Sequence, residues 1–151
     1  MHNKNKIQLF TDGACKGNPG IGGWGVLIKY SDISNELKGF QSETTNNRME
    51  LIAVIEGLKT IKEGANIELI TDSKYVKNGI KQWIVNWKNN GWKTASKKPV
   101  KNIDLWKELD ELVQSFSIEW KWVKGHSGNL GNERADQLAN EAIIEFYDKN
   151  S

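Results

Sequence analysis

The order of strand-like and helix-like segments is the feature of this 151-residue sequence that most restricts its fold. Alternating apolar and polar residues predict strands over residues 6–12, 24–30 and 36–42, joined by short turns. Short connections favour antiparallel pairing of these three strands. Two more strands are predicted at residues 66–71 and 117–123, each after a segment with helical spacing. This order predicts the α/β class, with one mixed sheet and helices packed on it.

Helices are predicted wherever apolar residues recur at helical spacing. These segments are residues 46–62, 73–80, 82–88, 103–114 and 132–147. Either Thr45 or Asn46 has a side chain that can cap the first of them. No linker is long enough to divide the chain. We therefore expect a single domain over residues 1–151, with polar tails at about 1–5 and 148–151.

The composition excludes several classes of protein. Hydrophobic residues make up 38% and charged residues 26% of the chain, a balance typical of a globular rather than a disordered protein. No apolar run approaches the roughly 18–20 residues that cross a bilayer, and the polar start lacks the apolar segment of a secretory signal. The one cysteine, Cys15, cannot form an internal disulfide, which suits a reducing compartment. We expect a cytoplasmic protein without membrane contact.

The distribution of charge is more informative than its total. The net charge is only +2, which by itself indicates no partner. Between Asp72 and Asp104, however, there is no acidic residue. The lysines of that stretch are Lys74, Lys77, Lys81, Lys88, Lys93, Lys97, Lys98 and Lys101. Such a segment is either a phosphate-binding surface or a solvated, lysine-rich face.

Two segments of the chain resemble each other. Residues 9–13 and residues 69–73 are both apolar strands that end in Thr-Asp followed by a small residue. If these strands are parallel neighbours, about 5 Å apart, Asp12 and Asp72 point into one space beyond the carboxyl end of the sheet. Two bare carboxylates there would repel each other, and a divalent cation would remove that repulsion. Alternatively, each Asp only ends its strand in a turn.

Two predicted helices each carry an acidic residue at the margin of the apolar stripe. Glu50 shares a helical row with Val54, and Asp136 shares one with Ala139 and Ile143. First-turn placement near the helix dipole explains either acid singly, but not four converging positions. An oxygen-rich cluster without cysteine suits Mg²⁺ or Mn²⁺ rather than zinc. The pattern indicates two-metal phosphoryl chemistry, in which two ions activate a water and stabilise the leaving oxygen.

Several short motifs of the chain contain these acidic residues or lie close to them. They are Thr11-Asp12-Gly13, Thr45-Asn46-Asn47-Arg48-Met49-Glu50-Leu51, Thr71-Asp72-Ser73, and Val123-Lys124-Gly125-His126-Ser127-Gly128 followed by Asn132-Glu133-Arg134-Ala135-Asp136. Together they resemble the motifs of type 1 ribonuclease H. They lie in order between about residue 6 and residue 147. The resemblance implies the ribonuclease H-like fold, a five-stranded mixed sheet flanked by helices. It also implies hydrolysis of the RNA strand of RNA/DNA hybrids, leaving 5′-phosphate and 3′-hydroxyl ends.

The same resemblance assigns the catalytic residues. Asp12, Glu50, Asp72 and Asp136 would bind Mg²⁺, or Mn²⁺ as a substitute, as two ions when substrate is bound. His126, in a glycine-flanked loop, would assist proton transfer or product departure. An unperturbed histidine has a pKa near about 6.5, which suits proton transfer near neutral pH. The alternative is that His126 is an ordinary surface residue.

Polar residues close to these carboxylates in the sequence are expected to contact the hybrid. In the family, the positions of Cys15, Asn18, Asn46 and Asn47 contact the minor groove, where the 2′-hydroxyl distinguishes RNA from DNA. Asn18 is alternatively a turn residue before Pro19, and Asn46 alternatively a helix cap. Either role is compatible with a contact to the hybrid.

The lysine-rich segment corresponds to a basic protrusion that grips the DNA strand in the family. Interleaved aromatic and lysine side chains can stack on bases and neutralise phosphates. The residues expected to contact substrate here are Lys74, Trp83, Trp87, Lys88 and Lys93. Trp83 and Trp87 alternatively pack the protrusion onto the domain. The tryptophans predicted to build the core are Trp106, Trp120 and Trp122.

Two other functions share part of this pattern. A nucleic-acid-binding module would keep the fold without catalysis, but binding alone does not need converging acids. A related metal nuclease that acts on DNA, such as an integrase core, would share the carboxylates but not the signature at residues 46–49. We therefore expect a monomeric nuclease whose partner is an RNA/DNA hybrid. Substrate choice with and without Mg²⁺ discriminates among the three.

Overall fold

A computed structural model describes residues 6–125 and 128–149 of the chain. Its strands are β1 (Lys6–Lys16), β2 (Gly20–Tyr30), β3 (Ile33–Thr44), β4 (Asn66–Thr71) and β5 (Ser117–Trp122). Its helices are α1 (Asn46–Lys59), α2 (Lys74–Asn78), α3 (Ile84–Asn89), α4 (Ile103–Val113) and α5 (Leu130–Lys149). A π-helical turn over Gly79–Trp83 joins α2 to α3. Within the described residues, no helix combines the length and apolar character that a membrane span needs.

The strands form one mixed sheet in the order β3-β2-β1-β4-β5. The first three strands pair antiparallel, as the short turns predicted, whereas β1 pairs parallel with β4 and β4 with β5. Thr11 lies opposite Thr71 in the parallel ladder, so Asp12 and Asp72 follow at the same edge of the sheet. The sequence prediction that these two strands are parallel neighbours is confirmed.

The first three strands are longer than their alternation predicts. Residues 20–23, interpreted as part of a turn, are the beginning of β2 instead. Glycines weaken the hydrophobic pattern there, but they allow close packing: a Cβ at Gly23 would clash with the carbonyl oxygen of Ala139. Helix α5 also starts earlier than predicted, at Leu130, because the Asn129 side chain accepts the backbone N–H of Asn132 at 2.8 Å.

The sheet has helices on both faces, because successive side chains of a strand point to opposite sides. Leu9 belongs to the larger core beneath α1 and α4, whereas Phe10 packs with Ala135 of α5 on the other face. Trp106 is fully buried, and Trp120 packs against the larger core, as predicted. The third tryptophan assigned to the core, Trp122, lies only at its margin, stacked on Trp120.

Candidate active site

Four carboxylates converge on one cleft at the carboxyl end of β1 and β4. Asp12, Glu50 and Asp72 each offer a carboxylate oxygen, and these oxygens lie within 4.8 Å of one another. Asp136 lines the same cleft, which has a volume of about 460 Å³. The side chain of Asp12 is 5% exposed and that of Glu50 8% exposed. The convergence expected from the sequence is therefore present in the structure.

Gly13 explains how Glu50 reaches Asp12. A Cβ at residue 13 would lie 2.5 Å from the backbone nitrogen of Glu50 and 2.6 Å from the carbonyl carbon of Met49. Only glycine allows the first turn of α1 to approach the strand this closely. The glycine that follows Asp12 thus brings two acidic residues from different elements into contact.

A second close approach positions Asp136. Gly25 lies opposite Asp12 in the ladder between β1 and β2, and a Cβ there would clash with the carbonyl oxygen of Ala135. Helix α5 consequently lies directly on the sheet beside Asp12. On the outer side of the helix, Arg134 forms a bidentate pair with Glu36 of β3 at 2.5 and 2.8 Å. These contacts fix the first turns of α5, which carry Asp136.

The cleft raises the pKa of its buried acids. Burial, followed by the negative charges of Glu50 and Asp72 and a hydrogen bond with Asp136, raises the pKa of Asp12 far above its ordinary value. Burial and the charge of Asp72 likewise raise the pKa of Glu50. One oxygen of Glu50, Oε1, is buried without a hydrogen-bond partner among the described residues. The cleft is therefore short of positive charge.

A hydrogen-bond network behind the cleft ties its elements together. Arg48, two residues before Glu50, donates to both oxygens of Asp104 at 3.1 and 2.8 Å, and to Oδ1 of Asn102 at 3.2 Å. Asn102 in turn donates to the hydroxyl of Tyr75 at 3.0 Å. Tyr75 lines the cleft three residues after Asp72. The network therefore connects α1, which carries Glu50, with α2, which follows Asp72.

Sequence reasoning assigned no role to these network residues. Arg48 stood inside the Thr45–Leu51 motif, which was a signal that the chain offered but that was not interpreted. Nothing marked Asn102, which has a left-handed backbone conformation (φ 59°) and turns its amide away from capping α4. A non-glycine residue in that region is uncommon, and asparagine is among the residues that tolerate it.

The amide residues predicted to contact the minor groove lie together at the start of α1. Thr45 caps the helix, since its hydroxyl accepts the backbone N–H of Arg48 at 3.2 Å. Asn18 Oδ1 accepts the backbone N–H of Asn46 at 3.1 Å, so Asn18 supports the same helix end from the β1–β2 turn. Asn46 and Asn47 line the carboxylate cleft. Their contact with substrate stays a prediction.

Cys15 lies three residues beyond Asp12 on β1. Its thiol donates to the carbonyl of Gly17 at 2.8 Å and, less closely, to that of Thr44 at 3.5 Å. Burial raises the pKa of the thiol above its ordinary value. The neutral thiol is thus the form that the structure favours at neutral pH, and its predicted contact with the minor groove is not tested by these interactions.

The predicted basic protrusion consists of α3 and the segment after it. Trp83 and Trp87 pack against the larger core, and their rings lie 5.6 Å from Tyr75 and 5.5 Å from Trp106, respectively. These are the contacts expected if the rings hold the protrusion on the domain. Stacking on nucleic acid stays a prediction for both rings.

The lysines of this region differ in their surroundings. Lys74 is exposed and lines the carboxylate cleft, as a substrate contact requires. Lys88 pairs with Asp110 at 3.3 Å, so part of its charge is already neutralised. Lys93 lines an open surface groove with Asn90 and Lys97. Of the three predicted phosphate contacts, Lys74 therefore lies nearest to the acids.

His126 lies outside the described residues, and its catalytic role stays a prediction. The residue before it, Gly125, is described: a Cβ there would lie 2.9 Å from Oδ2 of Asp72. The backbone of the Gly125 loop therefore passes directly beside one of the carboxylates.

Replacing Gly13 by alanine tests the packing at the cleft. We expect a loss of about 1–3 kcal/mol in the free energy of unfolding, because the new Cβ meets backbone rather than a movable side chain. Activity should fall too, since Glu50 must shift. Chemical denaturation and cleavage assays measure the two effects. Gly64→Ala is the control, because nothing lies within 4 Å of its Cβ, although its φ of +87° adds backbone strain. Full activity of Gly13→Ala would contradict this account.

The fold and the cleft define a class of protein. An all-oxygen cluster of acids, two of them buried, beyond the ends of parallel strands is typical of a metal-dependent phosphodiester hydrolase. Comparison with known proteins gives a narrower result. The family model for RNase H matches residues 4–144. The ribonuclease H of Francisella philomiragia subsp. philomiragia is 58% identical over 146 residues, which cover 97% of this chain and 96% of that protein.

Solved structures agree with the sequence comparisons. LC9-RNase H1, described as a type 1 RNase H with the type 2 active-site motif, superposes with a TM-score of 0.85 at 33% identity, over 93% of this chain and 73% of that one. LC11-RNase H1, solved in complex with an RNA/DNA hybrid, gives a TM-score of 0.65 at 25% identity, over 93% and 99% of the two chains. The chain belongs to the ribonuclease H family, metal-dependent endonucleases that cleave the RNA of RNA/DNA hybrids.

Proposed function

We propose that this chain hydrolyses the RNA strand of RNA/DNA hybrids at the cleft of Asp12, Glu50, Asp72 and Asp136, with Mg²⁺ as its cofactor. The convergence of these carboxylates carries the proposal, because ionised acids this close together repel each other and a bound cation removes that repulsion. The proposal includes a monomeric, single-domain enzyme of the cytoplasm. The half-buried, unpaired Cys15 is in keeping with a reducing compartment.

The side chains of the cleft suit a hard divalent cation. Every donor is a carboxylate oxygen, which is the ligand type that Mg²⁺ and Mn²⁺ prefer over zinc. The partnerless Oε1 of Glu50 and the raised pKa values of Asp12 and Glu50 are the properties of acids that lack a counter-ion. These observations support the metal site, and Mn²⁺ is proposed as a substitute for Mg²⁺.

The four carboxylates would contribute to catalysis by binding divalent cations. Two divalent cations, when bound with substrate, would supply activation of the attacking water and stabilisation of the leaving 3′-oxygen. Asp12 and Glu50, held close together by the contact at Gly13, would bind these ions through their carboxylate oxygens. His126 would transfer a proton or assist product departure. The products would carry 5′-phosphate and 3′-hydroxyl ends.

The substrate contacts are proposed from position. Asn18, Asn46 and Asn47 lie at the end of α1 that borders the cleft, where amide groups can read the 2′-hydroxyl. Cys15 is adjacent to them on β1. The lysine-rich face would bind the DNA backbone, and the proposed contacts there are Lys74, Trp83, Trp87, Lys88 and Lys93.

Substrate choice tests the proposal directly. A 5′-labelled RNA strand annealed to DNA is incubated with Mg²⁺ or with EDTA, beside all-RNA and all-DNA duplexes. We expect cleavage of the RNA in the hybrid alone, and only with Mg²⁺. Cleavage of the DNA duplex would favour an integrase-like nuclease. Binding of the hybrid by folded protein without any cleavage would favour a binding module.

A further inference from the structure

Two lysines converge on one tryptophan beside the cleft. The Nζ of Lys77 lies 5.8 Å and that of Lys81 4.9 Å from the ring centroid of Trp122. The ring is itself stacked on Trp120, with centroids 6.1 Å apart and an interplanar angle of 10°. Cation–π contacts of this kind hold an ammonium group without using its hydrogen-bond donors. Both ammonium groups thus keep donors available for a further ligand.

These two charges lack an acidic partner in the described part of the chain. The lysines that form ion pairs there are Lys6, Lys38, Lys59, Lys88 and Lys121. Lys77 and Lys81 also lie in the segment between Asp72 and Asp104, which contains no acid. Two like charges over one ring repel each other, and an anion between them would remove the repulsion.

The pair adjoins the proposed catalytic cleft. Trp122 lies opposite Thr71 in the parallel ladder, so Asp72 is within about two strand spacings, ~10 Å, of it. Lys74, which lines the cleft, precedes Lys77 by three residues on α2, so these two lie on one face of that helix, and Lys81 follows in the π-helical turn. Positive charge therefore continues from the carboxylates along α2 to the outer strand of the sheet.

We propose that Lys77, Lys81 and Trp122 form a phosphate-binding surface, which holds the sugar–phosphate backbone of the nucleic acid on the β5 side of the cleft. It rests on the proposed function, because it extends the contact with the same substrate. Each ammonium donates to non-bridging phosphate oxygens, and Trp122 fixes the direction of both lysines. This surface lies on α2 and the π-helical turn, which precede the protrusion formed by α3 and the segment after it.

A charge-removing double variant tests the surface. Lys77→Gln/Lys81→Gln keeps most of each side chain but removes both charges. Its control, Lys29→Gln/Lys62→Gln, removes two exposed lysine charges at the opposite end of the sheet. A second variant, Lys77→Arg/Lys81→Arg, keeps both charges and the contact with the ring. Thermal unfolding of all three shows whether each variant is folded.

Hybrid binding is measured in EDTA over a series of KCl concentrations. Loss of two phosphate contacts should flatten the plot of log K against log [salt] by about 1–2 units and weaken binding at least about 10-fold at low salt. With Mg²⁺, KM should rise while kcat stays unchanged. The arginine variant should restore both binding and KM, whereas the control should resemble the wild type.

The proposal is overturned if Lys77→Gln/Lys81→Gln binds with the salt slope of the control. A drop in thermal stability alone would mean that the lysines only cover Trp122. The proposed function is judged separately, by Mg²⁺-dependent cleavage of the hybrid by the wild type. A wild type that does not cleave, together with a flattened salt slope in the double variant, would reject the function and keep the surface.

Discussion

Asp12→Asn should lower kcat/KM for hybrid cleavage at least about 1000-fold, since losing a metal ligand removes several kcal/mol of transition-state stabilisation and each 1.4 kcal/mol is tenfold in rate. Asp12 is central to the cleft: its pKa responds to Glu50, Asp72 and Asp136 alike. The amide has nearly the same shape but carries no charge, so the fold should be retained.

The measurement combines Mg²⁺-dependent cleavage of the labelled hybrid with circular dichroism of the variant. Asp32→Asn provides the matched control, because Asp32 is an exposed acid in the turn between β2 and β3. The control should keep wild-type activity. An Asp12→Asn protein that is folded and turns over at the wild-type rate would reject the assignment of the cleft as the catalytic centre.

The sequence predicted the convergence of the four acids because their spacing obeys simple geometry. Asp12 and Asp72 each end an apolar strand, and parallel strands place their carboxyl ends at one edge. Glu50 and Asp136 share helical rows with apolar residues, which orients them towards the sheet. Periodicity is a local property of the chain, and it was sufficient for these four positions.

Close packing between backbones was not predictable in the same way. The glycines at residues 20–23 resembled a turn, because an absent side chain leaves no periodic signal. In the structure they belong to β2, and Gly23 admits the backbone of α5. Which helix crosses which strand is a tertiary property. A single sequence marks such a crossing only by small residues, which turns also contain.

Long-range polar contacts escaped the sequence for a related reason. Arg48 and Asp104 are 56 residues apart, and no local pattern pairs them.

The position of Trp122 was not predicted either. Trp122 alternates with Trp120 along β5, and for that reason both were predicted to belong to the core. Its contacts with Lys77 and Lys81 of a different element are long-range, and strand periodicity contains no information about them.

The metal-free wild type should become less stable as the pH rises from about 5 to 8, by about 1–3 kcal/mol in the free energy of unfolding. Asp12 and Glu50 have raised pKa values in the folded state, so the fold retains protons that the unfolded chain releases. Their protonated forms favour folding below the unfolded pKa. That contribution is lost as the pH rises towards the folded pKa.

The ion-paired carboxylates with lowered pKa values do not contribute in this pH window. The ion-paired acids Glu36 and Asp104 have lowered pKa values, so both are ionised in the folded and the unfolded chain above about pH 5. Their contribution would be lost only at lower pH. Chemical denaturation in EDTA at several pH values measures the dependence that the raised pKa values of Asp12 and Glu50 predict.

Asp12→Asn tests whether this dependence arises in the cleft, because it removes one of the two acids with a raised pKa and keeps every other titratable residue. At pH 8 without metal, the variant should be more stable than the wild type and should lose less stability between pH 5 and 8. Mg²⁺ should stabilise the wild type at pH 8 by mass action, and the variant less. A different result would contradict this account: a wild type that is equally stable in EDTA at pH 5 and 8 and is not stabilised by Mg²⁺. Repulsion among the ionised acids would then not destabilise the fold, and the cleft would not be a cation site.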